Sequence, residues 1–147
     1  MHDAPTRHAP TLAPALARLV RDLGYPLLDG GDAPWRGDAA ATWVVFLPGH
    51  GNASAETADI AVILPELVAA TPDLRPAVAD AAAERTLLER TGGLGLPALV
   101  FLRGDAVLGS IPRVRDWSDY RQRIAAILSA SCDAGTTASP DTLVTLQ

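Results

Sequence analysis

Lysine is absent from this chain: all twelve basic residues among its 147 are arginine. Cysteine occurs once, at Cys132, so a disulfide within one chain and a cysteine-built metal site are both excluded. Cys132 lies near the end of the last predicted helix, beside a Ser- and Thr-rich tail. No histidine or basic neighbour is there to lower its pKa, and it reads as a stray free thiol. Long apolar runs are lacking too. The longest nearly unbroken one, Leu94 to Leu102, is far too short to cross a bilayer, so no membrane insertion is expected. The start, Met1-His2-Asp3-Ala4-Pro5, has neither the basic region nor the apolar stretch of a secretory signal, which makes a cytoplasmic location the expectation. Net charge is −5 and no basic cluster exists to track a phosphate backbone, so nucleic acid is not an expected partner.

What is present is ordinary globular material. Apolar residues make up 48% of the chain, enough for one domain with a real core and a short tail. Residues 1–10 carry two prolines, Pro5 and Pro10, and no apolar pattern, and read as a flexible leader. The domain is expected over residues 11–132, followed by a loose tail over 133–147. Thr11 is a candidate N-cap for a helix whose stripe is Leu12, Leu16, Leu19, Val20 and Leu23, stopped at Gly24. Tyr25 to Leu28 is a short extended piece, and Asp29 to Ala41 is turn-rich around Trp35.

Thr42-Trp43-Val44-Val45-Phe46-Leu47 is apolar on both faces and ends at Pro48, the pattern of a central strand covered by helices on each side. A polar loop follows, Gly49 to Ser54. Ile60, Ile63, Leu64, Leu67 and Val68 then keep helical spacing, with Pro65 inside expected to kink the helix. Arg75 to Ala79 suggests a strand. Asp80 is placed to cap a helix running to Arg90, with Leu87 and Leu88 turned inward. After the glycine-rich turn Thr91 to Pro97, Ala98 to Leu102 reads as strand, Arg103-Gly104-Asp105 as turn and Ala106 to Gly109 as the returning strand. Trp117, Tyr120, Ile124, Ile127 and Leu128 form the stripe of a last helix and are expected in the core, with Asp116 near its N-terminus. Alternation followed by a hairpin and a helix predicts an α/β fold, a central mixed β-sheet flanked by helices with a terminal β-hairpin and helix.

Several local patterns have bland explanations. Gly49-His50-Gly51-Asn52-Ala53-Ser54 lies between strand and helix as a phosphate loop does, but it has no lysine and no third glycine. His50 has no histidine or cysteine nearby in sequence, so a metal site is not expected there. Asn52-Ala53-Ser54 and Arg103-Gly104-Asp105 carry no export signal to make them a glycosylation or an adhesion motif. Glu56 and Asp59 suit a first helical turn through its dipole, and Glu66 suits a solvated helix face.

The element order resembles the thioredoxin fold across roughly Tyr25 to Leu128. Trp43 to Leu47 matches the buried strand, the helix with Pro65 matches the kinked active-site helix, and Leu96-Pro97-Ala98-Leu99-Val100-Phe101 matches the strand that follows a cis-proline. The resemblance therefore implies a cis bond at Pro97. Counting back from Pro65, the two thioredoxin cysteines fall at Thr57 and Ile60, so dithiol exchange is excluded there.

Three blocks stand in order: Glu56-Thr57-Ala58-Asp59-Ile60-Ala61-Val62-Ile63-Leu64-Pro65-Glu66-Leu67, Pro97 to Gly104, and Asp116-Trp117-Ser118-Asp119-Tyr120. Together they resemble the hydrogenase expression/formation protein family of the HyaE, HupG and HoxO type. The resemblance implies a thioredoxin-like, redox-inactive accessory chaperone rather than an enzyme, without cofactor, acting in maturation of a nickel–iron uptake hydrogenase. The implied partner is the small-subunit precursor with its twin-arginine signal peptide, and a second hydrogenase accessory protein is a further partner it allows. The expected binding surface is Glu56, Thr57, Asp59, Ile60, Glu66, Leu96 and Pro97. Carboxylates there would meet basic peptide residues, Ile60 and Leu96 would give apolar contact, and backbone beside Pro97 would pair with an extended peptide. Two alternatives stand beside this reading: a general interaction domain that inherited the fold, and a monothiol redox protein using Cys132.

Overall fold

The computed structural model describes residues 14–28, 40–50, 55–104 and 106–136. The expected leader, the Thr11 cap, the Trp35 stretch, the Asn52-Ala53-Ser54 sequon and everything past 136 lie outside the described residues. In chain order the elements are α1 (Pro14–Ala17), a π-helical turn Arg18–Asp22, β1 (Leu27–Leu28), β2 (Thr42–Leu47), α2 (Ala55–Ala70), β3 (Leu74–Ala79), α3 (Ala81–Thr91), β4 (Ala98–Arg103), β5 (Ala106–Pro112) and α4 (Trp117–Thr136).

The described strands form one five-stranded mixed sheet in the order β1-β3-β2-β4-β5. β1 and β2 each lie parallel to β3, while β4 is antiparallel to both β2 and β5. All six residues of β2 are buried, as a strand covered on both faces requires. Alternation then sorts its side chains. Val44 and Phe46 join Leu99, Phe101, Ile60, Leu64, Leu67 and Tyr120 in one core. Trp43, Val45 and Leu47 join Val100, Leu102, Ala83 and Leu87 in a second core on the other face. Helices α1, α2 and α4 thus cover one side of the sheet and α3 the other.

The local signals act as physical chemistry requires. Asp80 accepts a hydrogen bond from the Ala83 N–H at 2.9 Å, and Gly92 closes α3 in the left-handed conformation at φ 79°. Asp116 accepts from the Asp119 N–H at 2.8 Å and so caps α4. At β5, a Cβ on Gly109 would stand 2.8 Å from Ile127 Cγ1, so only glycine lets the strand approach α4 this closely.

Some boundaries and side chains differ from the sequence reading. β3 begins one residue earlier, and β5 continues past Gly109 to Pro112, because its backbone keeps pairing with β4 as far as Ala98. Leu23, expected on the core stripe, is 41% exposed. The π-helical turn widens the last turn of the first helix and rotates Leu23 out of register, while Leu16 and Leu19 stay buried. Trp117, expected in the core, is 44% exposed at the first residue of α4, with Arg121 5.8 Å from its ring centroid. Among the described side chains, Tyr120, Ile124, Ile127 and Leu128 carry that helix onto the sheet. α4 also runs to Thr136, into the segment expected to be loose tail, and includes Cys132, whose side chain lies outside the described ones.

Candidate functional site

β2 ends at Leu47 and the chain must turn before α2 begins at Ala55. Two buried contacts from other elements hold the start of that connection. The Thr57 hydroxyl on α2 donates to the Pro48 carbonyl at 2.7 Å. The Glu84 carboxylate on α3 accepts from the Gly49 N–H at 2.7 Å and the His50 N–H at 3.0 Å. His50 completes the tie by donating from Nε2 to the Ala79 carbonyl, 2.7 Å away, so its imidazole is structural here. Glu84 is only 5% exposed, and a carboxylate that far from water is tolerable because both its oxygens meet N–H donors.

Sequence reading missed Glu84. Its signal was nonetheless present: it stands three residues before Leu87 and four before Leu88, on the inward stripe of α3, where a charge needs a reason.

The positions that match thioredoxin cysteines are filled by inert groups. Thr57 is buried and its hydroxyl bonds to Pro48. Ile60 is fully buried in the core shared by α1, α2 and α4, so its side chain supports the helix from beneath and does not reach the surface. Neither can exchange a disulfide. Of the remaining expected site residues, Asp59 and Glu66 are exposed, Glu56 and Leu96 are half-buried, and Pro97, expected on the binding surface, has its side chain buried. The Leu96–Pro97 peptide bond is cis, and Pro97 is buried. The Pro97 carbonyl accepts from the Arg113 N–H at 2.7 Å, continuing the β4–β5 ladder by one bond. Leu96 is half-buried, and among the described residues no hydrogen bond reaches its backbone N–H or carbonyl. It leaves a short open edge to which an extended chain can bond.

Glu56, in the first turn of α2, reaches toward that edge. Its carboxylate accepts from Arg113 Nε at 2.9 Å, from Arg113 Nη2, and from the Val114 N–H at 3.3 Å. The hydrogen bonds from Arg113 lower its pKa from 4.5 to about 2 against an opposing desolvation, with further lowering from the Val114 N–H and the Arg113 charge. Glu56, Leu96 and Pro97 are thus brought together through Arg113. Asp59 and Glu66 are exposed on α2 and make no ion pair among the described residues. Glu66 stands ten residues after Glu56, about 15 Å further along the helix axis, and so extends the acidic surface rather than closing on the same point. No basic residue occurs between Ala55 and Ala70 to offset the three acids.

Among the described residues, no group of three or more His, Cys, Asp or Glu is placed to hold a metal ion. A cavity of about 390 Å³ lies at the opposite end of β2, between Thr42, Asp73, Arg75 and Arg103, away from Pro97. No described helix is long and apolar enough to cross a membrane.

A mixed sheet ending in a hairpin and helix, a proline inside the helix after β2, and a cis-proline opening β4 define a protein of thioredoxin-like fold. Thioredoxin f2 from Chlamydomonas reinhardtii has the same fold, superposing with a TM-score of 0.56 over 73% of this chain and 96% of its own at 14% identity. The family model described as hydrogenase-1 expression protein HyaE matches residues 16–120. The hydrogenase expression/formation protein HoxO of Azotobacter vinelandii is 44% identical over 116 residues, covering 79% of this chain and 78% of the relative. The corresponding protein HupG of Rhodobacter capsulatus is 35% identical over 139 residues, 88% of this chain and 99% of the relative. The chain belongs to the HyaE family of hydrogenase expression/formation proteins.

Proposed function

We propose that this protein is a redox-inactive chaperone that acts in the cytoplasm during maturation of a nickel–iron uptake hydrogenase. In this reading it holds the small-subunit precursor by its twin-arginine signal peptide and releases it once the cofactors are in place. The observation that carries the reading is the open backbone edge at Leu96, together with helix α2, which carries Glu56, Asp59 and Glu66 and no basic residue of its own. An extended peptide gains backbone hydrogen bonds at such an edge with little demand on its sequence, and its basic side chains meet the carboxylates. Thr57 and Ile60 serve the same task from beneath, by fixing the helix that presents those acids. The expression/formation names of HoxO and HupG agree with an accessory role, and substitution of both cysteine positions favours holding over thiol exchange.

Genetic replacement tests the reading. Deletion of the gene is expected to lower the amount of assembled uptake hydrogenase, and a Cys132→Ser copy is expected to restore it fully. Unchanged hydrogenase assembly in the deletion strain would refute the maturation role. Failure of Cys132→Ser to complement, with the variant present at normal level, would instead favour a thiol enzyme.

A further inference from the structure

Arg113 occupies an uncommon place. It is the only described residue other than glycine with a positive φ, at 66°, a conformation that L side chains adopt at a cost and that persists only where the surroundings impose it. Three contacts impose it. Its N–H donates to the Pro97 carbonyl at 2.7 Å, and its own carbonyl accepts from the Tyr120 hydroxyl at 3.2 Å. Its side chain then runs beside Gly95, where a Cβ would stand 3.2 Å from Arg113 Cδ and 3.4 Å from Cγ. From there the guanidinium grips both oxygens of Glu56.

The Arg113 stem therefore lies against the residue next to Leu96, and its head fills the Glu56 carboxylate with matched fork geometry. Both partners remain open to water, with Arg113 54% and Glu56 33% exposed. Exposed pairs of this kind exchange readily, since their net attraction in water is small. Asp59 and Glu66, by contrast, carry no such internal partner among the described residues.

We propose that the Glu56 carboxylate is a guanidinium receptor which Arg113 occupies in the empty protein, and which an arginine of an incoming extended peptide takes over by displacing Arg113. This rests on the groove reading above and adds to it a selectivity and a regulation. A peptide arginine replaces the two hydrogen bonds that Arg113 gives up, so the exchange is close to neutral. A lysine offers a point charge and cannot match the fork. A peptide lacking a cation must either leave Arg113 in place or break the pair without compensation. The clasp thus costs an arginine peptide the whole pair it would form with a free Glu56, and costs an uncharged peptide less.

The test uses the whole protein, its Arg113→Ala and Glu56→Gln variants, and two short extended peptides of alternating threonine and valine. One peptide carries a single central arginine and the other carries citrulline, its uncharged isostere, at that place. Binding is followed by calorimetry and by the Arg113 Nε–H resonance, with thermal melts to show that each variant is folded. The alanine keeps an L-residue at the same backbone angle, so the variant changes the clasp rather than the turn.

The wild type is expected to prefer the arginine peptide, and that peptide alone is expected to move the Arg113 Nε–H signal. Arg113→Ala is expected to gain at least about three-fold in affinity for the arginine peptide, the scale of one exposed ion pair, and less for the citrulline peptide. Glu56→Gln is expected to bind both alike. Equal binding of the two peptides by the wild type, or an unmoved Arg113 signal at saturation, would overturn the exchange and leave the groove reading standing. Binding of neither peptide by any of the three proteins would overturn both.

Discussion

Replacing Glu84 with alanine strips the acceptor from two backbone N–H groups in the β2–α2 connection, those of Gly49 and His50. The Gly49 bond is buried, and an N–H left unpaired there costs roughly 1–3 kcal/mol. The His50 bond is only partly buried, so water replaces much of it and its loss lies at the low end of that range. Removing a carboxylate that is 5% exposed relieves its desolvation and offsets part of the total. The net expectation is a loss of about 2 kcal/mol. For a chain of this length that lowers the melting midpoint by roughly 4–8 °C. Glu84→Gln keeps one acceptor oxygen and turns an N–H₂ toward the other donor, so it is expected to fall between the wild type and Glu84→Ala.

Urea and thermal denaturation followed by circular dichroism give the stability, and hydrogen exchange by NMR locates it. The Gly49 and His50 amides should lose protection in Glu84→Ala while amides of β4 change only as much as global stability does. Because the clamp holds the chain that leads into α2, the same variant should also weaken peptide binding. If Glu84→Ala is as stable as the wild type and both amides keep their protection, the carboxylate is not what holds this connection.

Two further outcomes follow from the geometry. Gly109→Ala pushes a Cβ to 2.8, 3.1 and 3.3 Å from three carbons of Ile127, and is expected to cost about 1–3 kcal/mol. Adding Ile127→Ala removes all three contacts, so the double variant should be less destabilised than the sum of its parts; additivity would show that the clash is not the cause. Glu56 titrates at about 2 in the folded protein rather than 4.5, so its pairing with Arg113 contributes to stability above pH 4.5, and that contribution is lost as pH falls from 4.5 toward 2. In Arg113→Ala the Glu56 carboxyl should titrate much nearer 4.5, only the Val114 bond still holding it down; carboxyl carbon NMR shifts read this directly, and an unchanged pKa would contradict the assigned cause.

Much of the architecture was legible because local patterns and global fold agree. β2 is apolar on both faces and lies in the middle of the sheet; Asp80 precedes a helix and caps it; the Pro97 block opens β4. These are signals of a few consecutive residues, read by period and propensity. What was not legible depends on partners far apart in sequence. Glu84 meets Gly49 and His50 across 35 and 34 residues, and Arg113 meets Glu56 across 57. Glu56 was read as a helix-dipole residue, which its position in α2 allows, and nothing local announced its guanidinium partner. Leu23 and Trp117 failed for a different reason. Each continues a helical stripe on paper, but a π-helical turn rotates the first outward and the second stands at the very start of α4. Ile60 shows the limit of matching positions by likeness: counting back from Pro65 to a thioredoxin cysteine position put it on the expected binding surface, and the core holds its side chain.

The central claim is tested most directly by co-purification. The tagged protein is expressed with the hydrogenase small-subunit precursor, once with its twin-arginine signal peptide and once without. Retention of the full precursor together with loss of the truncated one is the expected result. Equal retention of both would place recognition on the mature subunit and contradict signal-peptide binding, and retention of neither would contradict the chaperone reading itself.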